Sequence, residues 1–103
     1  MPSFKAEPFH VAQLTHLLHE PGAGHLRVRK HGALLIIESG PDEDPWSHAR
    51  LRRDGVHLWC LEIAISGRRW EGTPFRSTMP ELVDLLLEQF GWWLAPVVWE
   101  PAL

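Results

Sequence analysis

Apolar and polar positions change their period twice along this chain. Over residues 8–20 (PFHVAQLTHLLHE), Phe9, Val11, Leu14, Leu17 and Leu18 recur at helical spacing and predict one apolar helix face. Pro8 suits the first turn, where no amide hydrogen bond is lost, and Pro21-Gly22 ends the run. From residue 79 the helical period returns. Met79, Leu82, Val83, Leu86 and Phe90 make an apolar stripe, with Glu81, Asp84 and Glu88 on the opposite side. Thr78-Met79-Pro80-Glu81 has capping-box spacing, and Gly91 stands where a C-cap glycine belongs.

Between these helices the period falls to two. His31-Gly32 and Asp54-Gly55 predict two-residue hairpin turns within strand regions 25–39 and 48–65, because such turns need positive φ that glycine supplies. Taken literally, those turns set Arg29 opposite Leu34, Val28 opposite Leu35 and Arg27 opposite Ile36. In the second hairpin they set Arg52 opposite His57, Leu51 opposite Leu58, Arg50 opposite Trp59 and Ala49 opposite Cys60. Ser66-Gly67 opens a third turn that returns Arg68-Arg69-Trp70 along the preceding strand, and GPDEDP, residues 40–45, is a loop. The predicted fold is α+β: a single domain over 1–103, with an antiparallel meander of four or five strands between an N-terminal and a C-terminal helix (α-β-β-β-β-α).

One phrase is written twice. HLRVRKHG, residues 25–32, returns as HARLRRDG, residues 48–55. Side chains alternate across a strand, so each copy sorts onto two faces. Leu26, Val28, Leu35, Ile37, Ala49, Leu51, Leu58 and Cys60 share the first; His25, Arg27, Arg29, His48, Arg50, Arg52, His57 and Trp59 share the second. With the hairpins adjacent, two His-Arg-Arg rows run side by side about 10 Å apart. Arg50 opposite Trp59 would make a cation–π contact of about 0.5–1 kcal/mol. Leu34, Ile36, Leu61, Ile63 and Trp70 fall on the same face, and arginine with tryptophan and aliphatics is the composition of an interface. Alternating arginines also mark the solvent face of any half-buried hairpin and discourage edge pairing, so the repeat alone does not fix a role. The candidate partner-binding residues are Arg27, Arg29, His48, Arg50, Arg52, His57 and Trp59.

Composition narrows the classes. With 103 residues, 45% apolar and 22% charged, the chain can bury one modest core. No stretch approaches the ~20 apolar residues that span a bilayer, and MPSFKAEPFH lacks the layout of a secretory signal. The single Cys60 excludes an internal disulfide framework and fits a reducing cytoplasm. A net charge of −3 makes the whole molecule no attractor for nucleic acid, although residues 25–76 carry nine basic and seven acidic residues while the rest carries Lys5 against six acids.

Candidate chemistry is sparse. His16 and His19 share a helix with His10 and Glu20, and His25 follows, but no recognisable ligand spacing joins them, so no metal site is predicted. The order of elements, with Pro41-Asp42 followed by Glu62-Ile63-Ala64, superficially resembles the PD-(D/E)xK nucleases. Ala64 stands where their lysine is expected, which removes the cation needed beside the metal. The same order occurs in the double-stranded-RNA-binding fold, whose second helix opens with lysines; here it opens Met79-Pro80-Glu81. Cys60 reads as a small core residue, and no Gly-x-Ser-x-Gly elbow or glycine-rich phosphate loop occurs, so no cofactor is predicted. An enzyme is the least supported class, with a metal-dependent hydrolase a distant third reading.

The tail WWLAPVVW carries Trp92, Trp93 and Trp99, too much aromatic surface for a wet terminus. It predicts either an extra strand on the core or a homodimer interface. The expectation is a non-enzymatic interaction module whose Arg/Trp sheet face engages an acidic protein partner or subunit. Nucleic-acid binding on the same face is the alternative, with arginines on phosphates and Trp59 stacking on a base.

Overall fold

The computed structural model describes residues 4–66 and 69–94. Helix α1 (Pro8–His19) precedes strands β1 (Arg27–His31), β2 (Leu34–Ser39), β3 (Trp46–Arg53), β4 (Trp59–Ser66) and β5 (Arg69–Ser77). Helix α2 (Met79–Gln89) and a 3₁₀ turn, Gly91–Leu94, follow. The five strands form one antiparallel sheet in sequence order, so the meander between two helices is the fold that the changing period predicts. Both helices lie on one sheet face and bury Leu14, Leu18, Leu82 and Leu86 against Leu35, Ile37, Leu51 and Leu61. No helix among the described residues is long and apolar enough to cross a membrane.

The first hairpin turns one residue later than expected. His31 pairs with Leu34, so the loop is Gly32-Ala33, with Gly32 at φ +59°. Only the first central residue of such a turn needs positive φ, and the glycine occupies it. Moving the turn by one residue moves every partner by two, so Val28 meets Ile37, Arg29 meets Ile36, and both faces survive.

The second hairpin departs further. Arg53 pairs with Trp59, and the connection widens to residues 54–58, closed by the Asp54 N–H donating to the Leu58 carbonyl at 2.8 Å. Gly55 is not among the positive-φ glycines, so the Asp-Gly turn does not form. Arg53 holds the wider loop by donating to the carbonyls of Gly55 (3.1 Å) and Val56 (2.9 Å). Leu51 consequently meets Leu61 instead of Leu58. That displacement is odd, so the faces of β4 exchange: Trp59 and Leu61 turn into the core, and Cys60 and Glu62 turn out beside Arg52 and Arg50. Burying a tryptophan and a leucine outweighs a favourable local turn, each large apolar side chain contributing about 1.5–3 kcal/mol.

A β-bulge changes the other row. Ile37 pairs with Ala49 but Glu38 with Ser47, leaving His48 as the extra residue. His48 is buried and its Nε2 lies 2.7 Å from the Ser39 hydroxyl.

Helix α1 presents His10, Leu14 and Leu18 inward, while Phe9, expected on the apolar face, is 63% exposed. In α2 Met79, Leu82, Val83 and Leu86 are buried as expected, while Phe90, the last member of the expected stripe, is the C-cap residue and half-buried. Its capping box does not form: Thr78 makes no side-chain cap bond, and the Glu81 carboxylate instead meets the Ser77 hydroxyl. Gly91 opens the 3₁₀ turn, which buries Leu94, and does not adopt a left-handed cap. The Ser66-Gly67 turn expectation is met in that Ser66 pairs with Arg69, although Gly67 and Arg68 lie outside the described residues. So do Trp99 and the side chains of Trp92 and Trp93, and with them the expected tail interface.

Candidate functional site on the helix-free sheet face

Strands β1 and β3 both run antiparallel to β2, so the two copies of the repeated phrase flank it and point the same way. Across the sheet the ladder reads Arg29–Ile36–Arg50–Glu62, and beside it His31–Leu34–Arg52–Cys60. The structure thus brings Arg27, Arg29, Arg50 and Arg52 onto one face, away from both helices.

Two carboxylates organise these cations. Glu38, only 4% exposed, has the Nε of Arg29 at 3.4 Å and of Arg27 at 3.7 Å. Arg27 also donates to the Gly40 carbonyl at 2.6 Å and the Pro41 carbonyl at 3.2 Å, which ties it to the β2–β3 loop. Arg50 donates through Nε to Glu62 at 2.6 Å, and its guanidinium stacks on Trp70 with 4.3 Å to the ring centroid. Arg52 stands 3.9 Å from the same carboxylate. Ile36 is buried although it faces away from both α1 and α2, because arginine stems flank it on both ladder neighbours. At the rim, Arg76 meets Asp54 at 2.5 Å, and this hydrogen bond holds the Asp54 carboxyl below its usual pKa.

Four guanidiniums therefore share Glu38 and Glu62, and Arg27 additionally lies 3.6 Å from the exposed Asp42 carboxylate. Arg27 and Arg50 are occupied within the fold, whereas Arg29 and Arg52 keep 52% and 47% of their side-chain surface. The alternation of the strands made these four arginines legible. It also places Glu38 with Leu34 and Ile36, on the face of the arginines. Glu62 was hidden by the register of β4.

The other expected members of the face lie elsewhere. Trp59 is 2% exposed beneath α1, His48 is drawn inward by the bulge, and His57 sits in the exposed β3–β4 loop. The cation–π partner of Arg50 is Trp70 in place of Trp59. His25 reaches the Leu94 carbonyl at 2.6 Å. The helical histidines are spoken for separately: His16 contacts Glu20 at 2.6 Å and His19 the Leu26 carbonyl at 2.6 Å. No group of three metal-ligating side chains occurs among the described residues.

On the helix side, His10 accepts the Glu7 N–H at Nδ1 (2.9 Å) and stands edge-on to Trp59, with ring centroids 4.9 Å apart. Burial, then the charge of Arg53, pushes its pKa below the ordinary 6.5, against a smaller opposing effect of Glu7. The neutral ring is thus favoured by folding. Its contribution is complete above about pH 6.5 and is lost as pH falls through the lowered folded value, because the unfolded chain then binds more protons. Urea unfolding should accordingly show the stability advantage of the wild type over His10→Gln shrinking between neutral pH and pH 5. A gap independent of pH would contradict this assignment. Compared with known proteins, the chain matches no family model, no curated protein and no solved structure.

Proposed function

We propose that this protein is a non-enzymatic binding module that engages an acidic protein segment through the arginine face of its sheet. The observation that carries the reading is the half-exposure of Arg29 and Arg52, one in each row, on the face that no helix among the described residues covers. Each row already holds a carboxylate that steers its guanidiniums, so incoming carboxylates meet ordered donors with little rotamer freedom left to lose. Glu38 and Glu62 interrupt the positive surface that a phosphate backbone would follow, which favours a protein over nucleic acid. Trp59, the expected base-stacking residue, is buried. Self-association falls within the same reading, since exposed Glu43 and Asp44 give a second copy acidic side chains.

The test is fluorescence anisotropy with a labelled oligoglutamate peptide and with generic single- and double-stranded oligonucleotides, at low and physiological salt. Arg29→Gln with Arg52→Gln should weaken peptide binding roughly tenfold or more, the scale of one or two charge-assisted hydrogen bonds. Unchanged peptide affinity in that variant would remove the face from consideration. Oligonucleotide binding that falls steeply with salt would transfer the reading to nucleic acid, because each neutralised phosphate releases counterion.

A further inference from the structure

A second concavity lies on the other side of the molecule, between the first turns of α1 and α2 and the β3–β4 loop. It is a cleft of about 490 Å³, within the range of small-molecule sites. Its walls are apolar: Phe9, Val56, Trp59, Met79 and Pro80. Phe9 and Val56 are 63% and 58% exposed, so two large apolar side chains stand open at this one place.

The polar lining of the cleft is cationic or neutral. Its lining includes Arg53 and His57 but no acid. The Arg53 guanidinium is fixed by the carbonyls of Lys5 (2.8 Å), Gly55 and Val56, so its charge is held in place. Thr78, Met79 and Pro80 at the start of α2 also line it; Thr78 makes no side-chain cap bond, and the first-turn Glu81 carboxylate is engaged by the Ser77 hydroxyl.

An independent observation comes from His10, which is 95% buried, with 5% of its surface exposed. Its Nδ1 accepts the Glu7 N–H, so the neutral ring carries its proton on Nε2. Nε2 makes no hydrogen bond among the described residues, yet no unpartnered side-chain nitrogen is sealed from the surface. His10 is itself one of the residues that line the cleft, between Phe9 and Trp59.

We propose that this cleft binds a small apolar carboxylic acid, an aromatic or branched aliphatic monocarboxylate. Its hydrocarbon body fills the space beside Trp59 and Met79. Its carboxylate accepts from His10 Nε2–H, near the Arg53 charge. A neutral apolar molecule gains the walls but not the field, and a highly charged one cannot desolvate against them. The site is separate from the arginine face and does not depend on its role.

The probes are 2-naphthoate and its neutral counterpart 2-naphthalenemethanol, titrated into the ¹⁵N-labelled protein. Naphthoate should shift the Thr78 and Gln13 amides and the Trp59 indole N–H, and should bind at least tenfold tighter than the alcohol. Val56→Glu, at an exposed rim position, should weaken naphthoate at least tenfold, and Val56→Gln should retain it. Arg29→Gln with Arg52→Gln should leave naphthoate binding unchanged. Equal binding of acid and alcohol would overturn the proposal. So would equal effects of the two Val56 variants, shifts confined to other surfaces, or no saturable shift at millimolar naphthoate.

Discussion

Truncating Leu86 to alanine should lower the unfolding free energy by about 2–5 kcal/mol, the range for a fully enclosed leucine. Leu86 is 0% exposed in the third turn of α2, in the layer that holds this helix on the sheet. The loss combines the transfer free energy of the deleted carbons with the contacts forfeited around the void, and a sheet braced on five strands cannot collapse to fill it. Against a total stability of roughly 5–15 kcal/mol for a domain of this kind, the upper end would leave a visible unfolded fraction. Glu88→Ala, on the solvent side of the same helix, should stay within about 0.5 kcal/mol. Urea denaturation of the two variants under one condition checks the pair. Comparable losses would mean that α2 buries a different face.

Arg50→Glu should be the most damaging change on the opposite face, at about 2–3 kcal/mol. Breaking a buried ion pair from one side costs roughly 3–5 kcal/mol. Here both partners retain some water contact, with 22% and 17% of their side chains exposed, and the figure is reduced accordingly. The substitution removes the 2.6 Å bond to Glu62, sets two carboxylates side by side, and takes the guanidinium from Trp70. Arg52→Glu, whose cation is 3.9 Å from Glu62 and 47% exposed, should cost about 1 kcal/mol or less. Exchanging the pair, Arg50→Glu with Glu62→Arg, should recover part of the loss in the same urea measurement. No recovery would mean that Arg50 contributes through packing on Trp70 alone. A binding defect in an Arg50 variant would thus be confounded by unfolding, which is why Arg29 and Arg52 are the informative positions.

The helices and the two arginine rows were legible because they rest on period and parity. A helix face follows from spacing, and a turn displaced by one residue, as at Gly32-Ala33, leaves every side chain on its face. What escaped were events that add an odd number of residues. Asp54-Gly55 is a strong local turn signal, yet the sheet uses residues 54–58, because only that register sends Trp59 and Leu61 inside. Arg53, which stitches the wider loop, reads locally as one more cation in a basic run. His48 carries no mark that distinguishes a bulge from a regular strand position. His10 displaced Phe9 from the interior because a histidine can satisfy the Glu7 amide and pack on Trp59 at once. A hydropathy pattern scores it as polar and cannot weigh that combination.

The sequence-ordered sheet also bears on how the chain reaches its fold. Each strand pairs with its neighbour in sequence, so the described connections, Gly32-Ala33, residues 40–45 and residues 54–58, close over short stretches. Loop-closure entropy grows with the logarithm of length, and sheets built from local pairings fold faster than those with crossed connections. Either hairpin can form first and recruit the next strand by zipping. The contact that must wait is α1 against α2, which joins the two ends of the described chain. During synthesis the sheet can assemble while the inner face of α1 still lacks its neighbour. Arrival of α2 then completes the core, since Met79, Leu82, Val83 and Leu86 share one cluster with Trp59 and Leu61.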